Sequence, residues 1–110
     1  MKHLISTTPF IKQVKEIRKA MIENIIELMN EHKVSEVYCY LDSTPIINHD
    51  ILGDVSTLDS IEVVAGELIF NGSNEYNNGS INAVHIDIEY LVEIYNWIND
   101  YKDELFNEAV

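Results

Sequence analysis

Two places in the chain set an imidazole beside a carboxylate, His49-Asp50 and His85-x-Asp87. That pairing is able to ligate a metal or to pass a proton. Neither spacing is diagnostic, and the chain contains no His-Glu-x-x-His, no Gly-x-Ser-x-Gly and no phosphate-loop glycine pattern. Each residue also has a sufficient structural role: His85 falls in an expected strand, Asp87 at an expected helix cap, and His49 in a turn. Cys39 is the only cysteine, so an intrachain disulfide is ruled out. No cation, helix start or histidine adjoins it to make a thiolate, and it reads as a small buried hydrophobe. Asp50, Asp54 and Asp59 are too irregularly spaced for an EF-hand loop. No catalytic residue, metal ligand or cofactor is therefore assigned. A small hydrolytic or metal-dependent enzyme using His49 and His85 is kept as an alternative.

The stronger signal is electrostatic. Residues 34 to 101 contain no lysine or arginine but 12 carboxylates, as many as the formal net charge of −12. The first 33 residues instead hold six cations against four acids. Such a balance disfavours direct binding to nucleic-acid phosphates or anionic lipids and favours cationic surfaces. No apolar run approaches the roughly 20 residues that cross a bilayer, and the opening Met-Lys-His-Leu-Ile-Ser lacks a secretory apolar core. With the lone cysteine, this leads to the expectation of a cytoplasmic protein without membrane contact. Asn71-Gly-Ser and Asn78-Gly-Ser match the glycosylation pattern but read as turns.

These residues must be carried by a small number of elements. Thr8-Pro9 resembles a helix start, and Phe10, Val14, Ile17, Met21, Ile25 and Leu28 recur at three- and four-residue steps, predicting an amphipathic helix over about 9 to 32. Its basic first half and acidic second half oppose the helix dipole. Val37, Cys39 and Leu41 then alternate with Glu36, Tyr38 and Tyr40, which describes a half-buried strand. Residues 45 to 60 read mostly as loop, with Ile46-Ile47 a candidate edge strand. Ala65-Gly66 divides 61–64 from 67–70 as a tight hairpin, one continuous strand being the competing reading. Residues 71–80 read as a polar loop, 81–86 as a strand, and 88–106 as a second helix capped by Asp87. The expected fold is a single α+β domain over 1–110. It has two layers, with a three- or four-stranded antiparallel meander bearing the N-terminal and C-terminal helices on one face. With four strands the helices would run antiparallel, bringing the lysines of the first near the acidic end of the second.

The second helix carries the candidate surface. Glu89, Glu93, Asn96, Asp100, Asp103 and Glu104 share one polar arc without a cation, while Tyr90, Trp97 and Tyr101 widen the apolar arc to roughly 220°, well beyond the 100° or so that one sheet requires. The excess must meet the first helix or another molecule. Aromatic side chains beside carboxylates match the composition of interface hot spots facing cations. The expected partner-binding residues are Tyr90, Glu93, Trp97, Asp100, Tyr101 and Glu104. The leading expectation is a nonenzymatic, inhibitor- or immunity-like module for a basic partner protein, with a homodimer contact left open. A nucleic-acid mimic that occupies a DNA- or RNA-binding protein is a further alternative.

Overall fold

A computed structural model describes residues 2–39, 48–50 and 55–107, with side chains over 11–39 and 57–106. The chain forms helix α1 (Lys2–Glu31), then strands β1 (Glu36–Tyr38), β2 (Asn48–Asp50), β3 (Val55–Val64), β4 (Glu67–Ser73) and β5 (Asn78–Asn82). A 3-10 turn, Ala83–His85, leads into helices α2 (Ile88–Asp100) and α3 (Lys102–Asn107). All strand pairings are antiparallel. Both β1 and β2 pair with β3, at residues 60–62 and 55–57 respectively, so together they occupy one sheet position. The result is a four-position antiparallel sheet, β1/β2-β3-β4-β5, with the helices on one face, as the α+β reading expects.

Alternation decides which side chains face the helices. Val37, Ile61, Phe70 and Ile81 share one face across β1, β3, β4 and β5, and the first three are buried. They meet Met21, Ile25 and Met29 of α1, Leu91, Ile94, Trp97 and Ile98 of α2, and Leu105 and Phe106 of α3 in one apolar cluster. At the hairpin, Ala65 and Gly66 have φ of 51° and 79°. Two positive φ values are what a type I′ turn needs to match the strands' twist, and only the glycine adopts one without steric cost.

Several boundaries differ from expectation. Helix α1 begins at Lys2 and passes through Thr8-Pro9. Proline lacks the N–H that would bond the carbonyl four residues back, so the helix continues there with one backbone bond fewer. It ends in a Schellman closure: Lys33 has φ 58° and donates to the Asn30 carbonyl, and Val34 N–H reaches the Met29 carbonyl at 3.1 Å. Much of 45–60 is strand, since β2 and β3 cover 48–50 and 55–64, and His49 lies on β2 rather than in a turn. The suggested Ile46-Ile47 strand lies outside the described residues. The polar stretch 71–80 is mostly strand as well; only 74–77 turns, where Asn74 Oδ1 accepts the N–H groups of Tyr76 and Asn77, both at 2.9 Å. The strand expected to reach Ile86 stops at Asn82, because Asn82 Oδ1 accepts Val84 N–H and draws the chain into the 3-10 turn.

The helix pair also departs from expectation. Arg18 of α1 donates to the carbonyls of Ala83 and Ile86, Asn24 donates to Tyr95 Oη at 3.1 Å, and His32 stacks on Phe106 with ring centroids 4.5 Å apart. Partners advance in the same direction along both segments, so α1 runs parallel to α2 and α3. Both helices pass from the β5 side, at the 3-10 turn, to the β1 side, where Leu105 lies beside Val37. Helix direction is thus uncoupled from the number of strands. The lysines of α1 do not meet the acidic end of α2, and its charge order needs another cause.

Candidate functional site

Alternation turns a second set of side chains away from the helices. Register places Glu36 opposite Glu62, Tyr38 opposite Ser60, Ser60 opposite Asn71, and Asn71 opposite Ser80, so this row crosses all four sheet positions. Asn71 is its centre. Its Nδ2 donates to Ser60 Oγ at 2.9 Å and Glu62 Oε1 at 3.0 Å, with a longer 3.5 Å contact to Glu36 Oε2. Ser60, only 4% exposed, donates its hydroxyl hydrogen bond to Glu36 Oε2 at 2.8 Å, and Tyr38 Oη donates to Glu36 Oε1 at 3.1 Å. Ser80 Oγ donates to Asn71 Oδ1. Carboxylates only accept, so the amide orientation follows from chemistry: Nδ2 faces the glutamates and Oδ1 faces Ser80. On the same face, Asn82 Nδ2 donates to Glu67 Oε2 at 3.1 Å.

The arrangement is electrostatically unbalanced. Glu36 and Glu62 are directly opposed on neighbouring strands, a placement that is destabilising for like charges. The donors that reach them are neutral amide and hydroxyl groups. Beside them is an open depression of about 300 Å³ lined by Glu36, Asp59, Ser60, Asn71, Gly72, Asn78, Gly79 and Ser80. Its chemistry offers carboxylate, amide and hydroxyl acceptors to an incoming cationic or hydrogen-bond-donating group.

The sequence-expected surface is divided by the structure. Trp97 is 5% exposed and belongs to the core, so it is no accessible contact. Its indole Nε1 is buried and, among the described residues, has no hydrogen-bond partner. Tyr90 and Tyr101 are half-buried against the same core. Glu93, Asp100 and Glu104 are exposed. Two features account for the wide aromatic arc: α2 packs on both the sheet and α1, and the segment breaks at Tyr101 (φ −118°, ψ 20°), turning Leu105 and Phe106 inward. Asp87 occupies the cap position, but its side chain makes no capping bond; its carbonyl accepts Leu91 N–H at 3.0 Å.

The segments that carry the two imidazole-carboxylate pairs leave from opposite edges of the sheet. His85 is exposed in the 3-10 turn after β5, whereas β2, which carries His49, pairs along the opposite side of β3 from β4. Three strand spacings separate those edges, roughly 14 Å. Among the described residues, no three His, Cys, Asp or Glu side chains form a metal-binding group. Cys39 is buried as expected; desolvation, with the Asp59 carboxylate second, pushes its thiol up from 9.0 to about 12. No helix of the described residues is long and apolar enough to cross a membrane.

Sequence alone missed the sheet-face row because Glu36, Ser60, Glu62, Asn71 and Ser80 are scattered over 45 positions and meet only through strand register. The one advance signal was the polar phase of each alternation, Glu36 and Tyr38 among them. Comparison of the chain with protein-family models, curated proteins and solved structures finds no match in any of the three.

Proposed function

We propose that this protein is a nonenzymatic binding module, of the inhibitor or immunity type, that captures a basic partner protein on the open face of its sheet. The observation that carries the reading is the in-register Glu36 and Glu62 pair, solvated by Asn71 and Ser60 within a stretch that lacks any lysine or arginine. Like charges held side by side are a standing cost that a lysine or arginine from a partner relieves. Tyr38, 58% exposed beside Glu36, adds an aromatic surface to the same face. The exposed Glu93, Asp100 and Glu104 lie on the helical layer and extend the negative field, which speeds encounter more than it adds affinity.

Affinity capture from the source cell at low and moderate salt tests this reading, with wild type beside a Glu36→Gln/Glu62→Gln variant. The expected result is retention of one or more basic proteins by wild type, weakened by salt and by the double substitution. Retention that is equal for both proteins and indifferent to salt would refute the sheet face as the docking surface.

A further inference from the structure

We infer that the protein self-associates, with the first half of α1 from one copy seated against the start of α2 in a second copy. A 30-residue helix is about 45 Å long. Among its described side chains, the first that is buried is Met21. The ten preceding residues, 11 to 20, carry an apolar stripe, Ile11, Val14 and Ile17, that is only partly covered among the described residues: Ile11 is 53% and Ile17 46% exposed, and Val14 is half-buried. Lys12, Lys15 and Lys19 repeat at nearly the same spacing alongside and are also exposed. With Arg18, which the Ala83 and Ile86 carbonyls engage, there are four cations to one acid, Glu16, within that segment, and Lys19 also lies 3.9 Å from Glu23 of the next turn. An exposed apolar helix stripe bordered by charge is the construction of a helix-docking surface.

The complementary surface lies on the same chain. On α2, Val92, 37% exposed, lies one turn beyond the half-buried Ile88, and Val84, 51% exposed, precedes them in the 3-10 turn. Exposed Asp87, Glu89 and Glu93 border this second stripe. One stripe is apolar with cations, the other apolar with carboxylates, and the signs match only between the two. Pairing the first half of α1 with its own copy would set lysines against lysines, and pairing the start of α2 with its own copy would set glutamates against glutamates; the acidic second half of α1 already has its apolar residues Met21, Ile25 and Met29 in the core. Self-association through one of each is the complementary choice. The two patches are also neighbours, because Arg18 ties α1 to the carbonyls of Ala83 and Ile86. Adjacent donor and acceptor patches let a two-fold axis use each twice, closing a dimer rather than a chain. The reversed charge order of α1 then has a cause: its basic half is the part that reaches the second copy. This inference does not rest on the sheet-face reading, since the Glu36 and Glu62 row lies on the opposite layer.

Light scattering during size exclusion, across micromolar to millimolar protein and at low and high salt, tests it. The expected result is a dimer that loosens with salt. Chain X carries Lys12→Glu, Lys15→Glu and Lys19→Glu; chain Y carries Glu89→Lys and Glu93→Lys. Each alone should associate about tenfold or more weakly than wild type, while an equal mixture of X and Y should recover the dimer, because each basic patch again meets an acidic one. Ile17→Asp should abolish association with melting unchanged, and circular dichroism of every variant confirms folding. A wild type that stays monomeric throughout overturns the inference, as does a mixture of folded X and Y that fails to pair.

Discussion

Replacing Glu62 by glutamine should make the protein more stable. Glu62 and Glu36 face each other across β1 and β3, and directly opposed side chains on such strands lie about 5 Å apart. Two unit charges at that distance repel by about 0.8 kcal/mol in bulk water. Both side chains are half-buried, which strengthens the repulsion, while Asn71 and Ser60 offset part of it. Glutamine retains a carbonyl oxygen for the 3.0 Å bond from Asn71 Nδ2, so the substitution removes charge without orphaning that donor. The expected net gain is about 0.5 to 1 kcal/mol, or a rise in Tm of about 2 to 6 °C. Urea unfolding at low and high salt should show a shifted midpoint with an unchanged slope. The gain should shrink with salt, since screening already relieves the wild-type pair. A variant less stable than wild type, or a gain independent of salt, would refute the reasoning and make Glu62 a structural acceptor.

The Ala65→Asn variant should stabilise the β3–β4 hairpin by about 0.5 to 1 kcal/mol in thermal unfolding, because Asn-Gly suits a type I′ turn where alanine now holds φ at 51°. Trp97→Ala should cost about 3 to 5 kcal/mol in urea unfolding, as expected for a core indole, and a near-neutral effect would return Trp97 to the surface. Cys39 should resist alkylation in the native state at pH 8 and react at once in denaturant. Its folded pKa is raised, so its contribution is fully present below pH 9 and is lost as pH rises toward 12. Stability should therefore fall by up to about 1.4 kcal/mol per pH unit across that window, and Cys39→Ala should remove this component of the slope.

Some of this architecture was legible residue by residue. The three- and four-residue recurrence of Met21, Ile25 and Leu28 describes a helix that packs by one stripe, and Met21 and Ile25 are buried. The alternation of Val37 and Cys39 with Tyr38 gives a strand with one face inward, and those two are buried while Tyr38 is exposed. The Ala65-Gly66 hairpin was marked by a glycine able to take positive φ. Other punctuation misled for a local reason: Thr8-Pro9 is compatible with a cap but also with a helix interior, and the Asn/Gly/Ser composition of 71–80 hid strand residues paired on both sides of a four-residue turn.

By itself, then, the sequence determined the periods of α1, β1 and α2, the α+β class with helices on one sheet face, and the segregation of cations from the block 34–101. Those properties follow from backbone geometry and composition, which act over a few residues. Tertiary structure alone decided that the helices run parallel across the sheet, that Trp97 turns inward, and that the chain breaks at Tyr101 to bring Phe106 onto His32. It also brought Glu36, Ser60, Glu62, Asn71 and Ser80 into one row. Each of these outcomes depends on register and crossing direction, set by contacts between residues far apart in the chain. A shift of one residue in β1 or β3 would have placed Glu36 or Glu62 in the core.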